Sequence, residues 1–361
     1  MNTKENTATN NIQAELNRLW ESQPQRVKIK ASLFNLIVYS YEPCRTKYFK
    51  KMVQMVMEQF PCRIIFIQED PTAPSPFLRV NVSVSLPESG KGIACDQINI
   101  EASGEEMKRV PFLILPHLIP DLPIYLLWGR DPTKATAIVP YLQPFATRVI
   151  FDSETTDNLK SFSESILKEM ETASYEIVDM NWVRTAGWRQ IIAQAFDSKV
   201  RVDLLVKASF IRLVYNDLSD PSFSRPATQA IYMQAWFASC LGWTFERLEK
   251  QQDKVVLHYT NHFGPIQIHL VAQTRNDLSP EEIIECEIAD PNNFDCLFLR
   301  KMGNEVLVKA SNQYQCQLPF TLLLPTLQSG RSFMQEIFYQ KISTQYPHVL
   351  KIMGQIDWIG I

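Results

Sequence analysis

Val27–Gln68 reads VKIKASLFNLIVYSYEPCRTKYFKKMVQMVMEQFPCRIIFIQ. Its first part, Val27 to Tyr41, is rich in apolar and β-branched residues and predicts a long strand. Pro43 and Cys44 turn the chain. Arg45 to Phe60 then carries Tyr48, Met52, Met55 and Val56 at helical spacing, and Pro61 stops the helix. Cys62 to Gln68 (CRIIFIQ) is a buried strand. A strand, helix and strand of these lengths predict a right-handed crossover between parallel strands.

The same alternation continues outward. Arg79 to Leu86 (RVNVSVSL) and Gln97 to Ala102 (QINIEA) read as strands, and Glu105 to Ile119 as a helix. Ile124 to Trp128 is a strand, Lys134 to Leu142 a helix, Thr147 to Phe151 a strand, Asp157 to Thr172 a helix and Tyr175 to Val178 a short strand. Upstream, Ile12 to Glu21 is a short helix behind a polar, disordered tail. Beyond Val200, a strand (Phe210–Tyr215) and a helix (Ala227–Leu241) precede a run of strands with few helices. Arg331 to Ser343 predicts a closing helix. The fold class is therefore an α/β N-terminal domain with a mixed, partly parallel sheet, followed by a smaller α+β domain with a mainly antiparallel sheet. The expected divisions are 1–25 (tail and short helix), 26–199 and 200–361. RVKIKASLFNLIVY (Arg26–Tyr39) and RVDLLVKASFIRLVY (Arg201–Tyr215) suggest a duplicated strand–helix–strand unit.

The chain has 361 residues, 45% hydrophobic and 21% charged, with a net charge of −3. That is ordinary globular composition. No dense Lys/Arg run is present, which argues against nucleic acid as a partner. No run of about 18 apolar residues occurs, so no membrane span is expected, and the polar N-terminus is not a signal peptide. Seven cysteines without a CxxC pair point to reduced thiols in a cytoplasmic protein. Only 11 glycines are present, with no GxGxxG, no GxxxxGK[ST] and no GxSxG. A dinucleotide, P-loop or hydrolase site is poorly supported, and no cofactor is expected. His258, His262 and His269 lie close enough to ligate a metal, but solvated or core histidines on a hairpin are the reading adopted, and no metal is expected.

Three features have functional weight. The predicted strands of the first domain end in Glu42, Glu69 with Asp70, Arg130 with Asp131, Asp152 with Ser153, and Asp179. Along one sheet edge these groups suit a cation or a sugar hydroxyl, or they are the turn and N-cap residues favoured after strands. LPHLIPDLPIYLLWGRDP (Leu115–Pro132) frames Asp121 between prolines and delivers Trp128 and Arg130 to a strand end. DMNWVRTAGWRQIIAQAF (Asp179–Phe196) buries Trp188 on a helical stripe with Ile191 and Ile192. Arg184 sits one turn before Trp188, and Trp182 and Arg189 share another face. Trp and Arg are the types that anchor interfaces.

These two segments resemble the glucose-6-phosphate dehydrogenase assembly protein OpcA family. The Pro120–Pro123 turn before a Trp128-ended strand, and the Asp179–Arg189 signature, are the main likeness. KASLFNLIVY, FPCRIIFIQ, CDQINIEASG, FATRVIFDS and QAWFASCLGW match in order, over roughly residues 27 to 245. The resemblance implies a non-catalytic partner of glucose-6-phosphate dehydrogenase that promotes its active oligomer or active state. It makes Asp121, Trp128, Arg130, Asp179, Trp182, Arg184 and Arg189 candidate partner-binding residues. It also implies thioredoxin as a candidate second partner and Cys62 and Cys95 as candidate redox residues. The alternative reading is a ligand-binding or enzymatic α/β protein acting on a phosphosugar or related metabolite.

Overall fold

The strand at the centre of the first sheet, Asn35–Ser40 (β1), has all six side chains buried. A strand covered on both faces must be apolar throughout or find partners for its polar groups. Leu36, Ile37, Val38 and Tyr39 meet the first condition. Asn35 meets the second by exchanging hydrogen bonds with the Ile119 backbone, at 3.0 and 2.8 Å. In the computed structural model the described residues are 11–22, 31–85, 93–220, 225, 227–290, 293–312, 317–324, 334, 337–339 and 343–358.

The strands continue as β2 (Arg63–Glu69), β3 (Phe77–Ser85), β4 (Cys95–Ser103), β5 (Ile124–Gly129), β6 (Arg148–Phe151), β7 (Glu176–Asp179) and β8 (Phe210–Asn216). They are followed by β9 (Thr244–Lys250), β10 (Lys254–Asn261), β11 (Gly264–Gln273), β12 (Ile283–Asp290), β13 (Phe294–Arg300), β14 (Glu305–Asn312) and β15 (Phe320–Leu323). The helices are α1 (Ile12–Glu21), α2 (Pro43–Gln59), α3 (Val110–Ile114), α4 (Val139–Leu142), α5 (Leu159–Met170), α6 (Met180–Arg184), α7 (Ala186–Ala195), α8 (Lys199–Val206), α9 (Thr228–Leu241) and α10 (Tyr346–Met353).

Two compact units result. The first comprises Met1–Thr155, Thr172–Met180 and Ser329–Ile342, and the second Thr156–Glu171, Asn181–Gln328 and Ser343–Ile361. The first holds a seven-stranded sheet of order β3-β4-β2-β1-β5-β6-β7. All its pairings are parallel except β3 with β4. The second holds an eight-stranded sheet of order β15-β14-β13-β12-β8-β11-β10-β9, antiparallel except for β8 with β11.

In the first unit, α2 starts with Pro43 at its first turn, where a missing N–H costs nothing. It buries Arg45, Phe49, Met52, Val53, Val56 and Met57 on one stripe. Phe60, extended before Pro61, ends it. In the second unit, α9 buries Ala230, Ile231, Met233 and Phe237 and closes on Gly242 in the left-handed region (φ 66°).

Several local expectations are corrected. β1 begins at Asn35, not Val27; residues 31–34 are not strand, and Val27–Lys30 lie outside the described residues. Glu105–Ile119 is not one α-helix but a 3₁₀ turn (Gly104–Arg109), α3 and a second 3₁₀ turn (Leu115–His117). Pro111 and Pro116 remove the amides a continuous helix needs. Of Lys134–Leu142 only Val139–Leu142 is helical. The Thr136 hydroxyl accepts from the Ile138 amide at 3.3 Å, a local bond that competes with the helix. The suggested duplication fails as well. Lys199–Val206 is helical, and the strand reached through α9 lies at the far edge of its sheet rather than beside β8. The polar tail of residues 1–10 lies outside the described residues, as does most of the helix expected at Arg331–Ser343.

The sheet and α2 meet closely at Gly129, the last residue of β5. A Cβ there would stand 2.6 Å from the Tyr39 carbonyl oxygen and 2.8 Å from Phe49 Cζ. Gly129→Ala is expected to destabilise the protein by about 1–3 kcal/mol, read as a lower denaturation midpoint at unchanged slope.

Candidate functional site

From β1 the parallel strands run outward in both directions, through β2 and β4 on one side and β5, β6 and β7 on the other. This is the doubly wound order, and its crevice opens at the carboxyl ends of β1 and β5. The groups that converge there are Tyr39 to Arg45, Glu69, Gly129 to Asp131 and Asp152.

They are engaged with one another. Arg45, on the first turn of α2, is 2% exposed and forms an ion pair with Asp152 at the end of β6. Its guanidinium also lies 4.3 Å from the Tyr48 ring centroid. The Ser40 and Thr46 hydroxyls meet at 2.6 Å, and Thr46 Oγ1 donates to the Glu42 carbonyl at 2.9 Å. The Tyr39 hydroxyl donates to Glu69, and the Arg130 guanidinium comes within 3.7 Å of the same carboxylate. Burial and the Glu69 charge push the Tyr39 phenol well above its ordinary range. Arg130 also stacks on Tyr41, at 4.3 Å.

The acidic strand ends serve turns in two cases. Asp70 accepts from the Thr72 amide and hydroxyl at 2.9 and 2.8 Å. Asp131 does the same with Thr133, at 2.8 and 2.7 Å. Thr72 is the main cause that holds the Asp70 carboxyl below its usual range. Asp179 is buried and accepts from the Ser153 amide at 3.1 Å. Among the described residues no group of three or more His, Cys, Asp and Glu side chains is placed to hold a metal ion.

The candidate partner-binding residues are not gathered on one exposed surface. Trp128 is 2% exposed and stacks on Tyr39 with ring centroids 4.1 Å apart. Asp121 is exposed in the proline-framed turn, with φ 64°. In the second unit, Trp182 is 6% exposed and packs against Tyr346, 5.7 Å between centroids. The Arg189 guanidinium lies 3.3 Å from the Trp182 centroid and donates to the Trp182 carbonyl at 2.7 Å. This is the pair that their seven-residue spacing puts on one face. Arg184, one turn before Trp188, is engaged elsewhere. It donates to Asn181 Oδ1 at 2.6 Å and faces Glu281 at 3.7 Å. Cys62 and Cys95 are adjacent and buried, with the Cys62 amide donating to the Cys95 sulfur at 3.5 Å. Their shared hydrogen bond, joined by burial, lifts the Cys62 thiol well above its ordinary range; the same bond lowers that of Cys95. Sequence reasoning missed Arg45 and Tyr39, since nothing local ties either to a carboxylate on another strand.

The fold resembles solved oxidoreductases. The 3-ketoreductase KijD10 of Actinomadura kijaniata, solved with TDP-benzene and NADP, superimposes with a TM-score of 0.53 at 10% identity, over 89% of this chain and 94% of that one. An oxidoreductase from Bacillus cereus gives 0.50 at 8% identity, over 88% and 93%. In dinucleotide-binding proteins of the doubly wound class the pyrophosphate lies on a glycine turn at the start of the first crossover helix. The residues here do not fit a dinucleotide. Tyr41, Glu42 and Pro43 occupy that turn in place of glycines, so each residue carries a side chain, the N-cap residue is an acid rather than a small neutral one, and Pro43 has no amide to offer. Arg45 and Asp152 neutralise each other across the crevice, and Glu69, at the ribose-binding position, is held by Tyr39 and Arg130. Breaking the Arg45–Asp152 pair leaves a buried charge. Arg45→Met or Asp152→Leu alone is expected to cost roughly 3–5 kcal/mol and the double substitution far less. A denaturation double-mutant cycle measures the difference.

No described helix is long and apolar enough to cross a membrane. A family model described as glucose-6-phosphate dehydrogenase subunit N-terminal domain matches residues 53–168, and one described as the C-terminal domain of that subunit matches 175–307. Proteins named putative OxPP cycle protein OpcA are similar in sequence. The protein from Synechococcus elongatus is 27% identical over 52% of this chain and 41% of its own length; that from Nostoc punctiforme is 26% identical over 61% and 45%. The chain thus matches under half the length of these relatives. With both family domains present in order and covering well over half its residues, the chain belongs to the OpcA family of glucose-6-phosphate dehydrogenase subunits.

Proposed function

We propose that this protein is a non-catalytic partner of glucose-6-phosphate dehydrogenase that favours its assembled, active state in the oxidative pentose phosphate pathway. The family and the names of its relatives supply the pathway. The observation that carries the non-catalytic part is the self-paired crevice: an oxidoreductase fold in which Arg45–Asp152 and Tyr39–Glu69–Arg130 stand where a dinucleotide would bind. A partner needs no chemistry of its own. Binding the active form of the dehydrogenase more tightly than the inactive form shifts the population by the difference in affinity.

In this reading Asp121 and Arg130 are partner contacts at a turn and a strand end. Trp128, Asp179 and Trp182, which are buried, and Arg184 and Arg189, which are partly so, act as the framework that holds the contact surfaces in place. The proposal carries no thioredoxin step through Cys62 and Cys95, which are both buried.

A second reading is an enzyme acting on a phosphosugar or related metabolite, with the fold it shares with a 3-ketoreductase as its support. Two measurements separate them. Titration of the isolated chain with NADPH, followed by nicotinamide fluorescence, is expected to show no saturable binding. Mixing the chain with glucose-6-phosphate dehydrogenase is expected to give a complex in sedimentation velocity and a change in specific activity or oligomeric state. Tight NADPH binding with turnover of a sugar phosphate would establish the enzyme. Failure to form any complex would remove the partner reading.

A further inference from the structure

Near its β15 edge the eight-stranded sheet leaves a gap beneath α8. Register places Phe294, Cys296 and Phe298 of β13 on one face, with Ala310 beside Cys296, Val308 beside Phe298 and Phe320 of β15 beside Val308. Asp295, between Phe294 and Cys296, alternates to the other face. Over this side the chain passes from α7 into α8, where the Ser198 hydroxyl caps the new helix by accepting from the Arg201 amide at 3.4 Å. The cleft so enclosed holds about 490 Å³ and is walled by Phe196, Leu204, Phe294, Cys296, Val308 and Phe320. It lies wholly within the second unit.

Two observations point to an occupant. The first is α8 itself. It carries Val200, Val202, Leu204, Leu205 and Val206, yet none of its residues is buried. A short helix gains most of its stability by packing an apolar face, and an unfilled cleft denies it that packing. The second is Arg201, which lines the same cleft. Its Nη1 donates to the Ala195 carbonyl at 3.2 Å and reaches Asp197 at 3.5 Å, an exposed pair of little worth. Its Nε and Nη2 make no hydrogen bond among the described residues. The thiol on the wall brings no charge, because burial and the Asp295 carboxylate push Cys296 up to about 12.

We propose that this cleft binds a small aromatic carboxylate, its ring among the phenylalanines and its carboxylate on the Arg201 guanidinium. Ligand sites are commonly of this size, mostly apolar with a few convergent polar groups. Phenylalanine walls suit a flat ring, and a guanidinium meets a carboxylate with two parallel N–H donors. A sugar phosphate fits poorly, since these walls would leave its hydroxyls without partners.

The test is isothermal titration calorimetry of the full chain with naphthoate, and with naphthalenemethanol as its uncharged counterpart. Naphthoate is expected to bind saturably at one site and to raise the thermal midpoint. Naphthalenemethanol is expected to bind about tenfold more weakly, and Arg201→Gln to bring naphthoate down to that level. Leu204→Trp and, separately, Ala310→Phe, which fill the cleft, are expected to abolish binding of both compounds, with thermal melts confirming that each variant folds. No saturable naphthoate binding by the wild-type chain overturns the proposal. So does binding that survives both filling variants, or naphthoate binding indifferent to Arg201→Gln. Complex formation with glucose-6-phosphate dehydrogenase does not enter the readout, so this site and the partner reading fail separately.

Discussion

A guanidinium buried beside the central strand of a parallel sheet is tolerable only with a carboxylate against it, and the Arg45–Asp152 pair meets that demand. Taking either ion out of water alone costs several kcal/mol after the protein relaxes. The pair therefore ties α2 to β6 across the mouth of the crevice. Around it the Ser40–Thr46 contact and the Tyr39–Glu69–Arg130 cluster use the remaining polar groups. The result is a sheet edge whose hydrogen-bonding capacity is directed inward.

That edge explains how one fold serves two ends. In a dinucleotide enzyme the first crossover turn must be bare backbone, so that phosphate reaches the amides and the helix N-terminus. Here the turn carries Tyr41, Glu42 and Pro43. Fold likeness alone says nothing of chemistry, because function resides in the site grafted on the fold. The Trp182–Arg189 stack makes a related point in the second unit. Residue types typical of interface anchors are engaged within the fold, the Arg189 guanidinium lying over the buried Trp182 ring and donating to the backbone.

Much of the architecture follows from local pattern. Apolar runs of strand length, alternating with segments of helical period, require a parallel sheet in the first part. Alternating polarity in β10 to β14 requires an antiparallel sheet in the second. The errors fall where short-range chemistry overrides period. Pro111 and Pro116 divide one expected helix, and a threonine hydroxyl shortens another. The apparent repeat at Arg201–Tyr215 begins with the helix α8 rather than with strand.

The sequence by itself determined the order of elements, the absence of a glycine turn and the family signature, because each depends on residues within a few positions of one another. Tertiary structure alone decided that Trp128 lies under Tyr39 and that Asp152 belongs to Arg45. Those facts depend on strand order and register, which bring together side chains as far apart as Arg45 and Asp152. No local pattern encodes which carboxylate a distant arginine will meet, since burial, not spacing, makes the pairing obligatory.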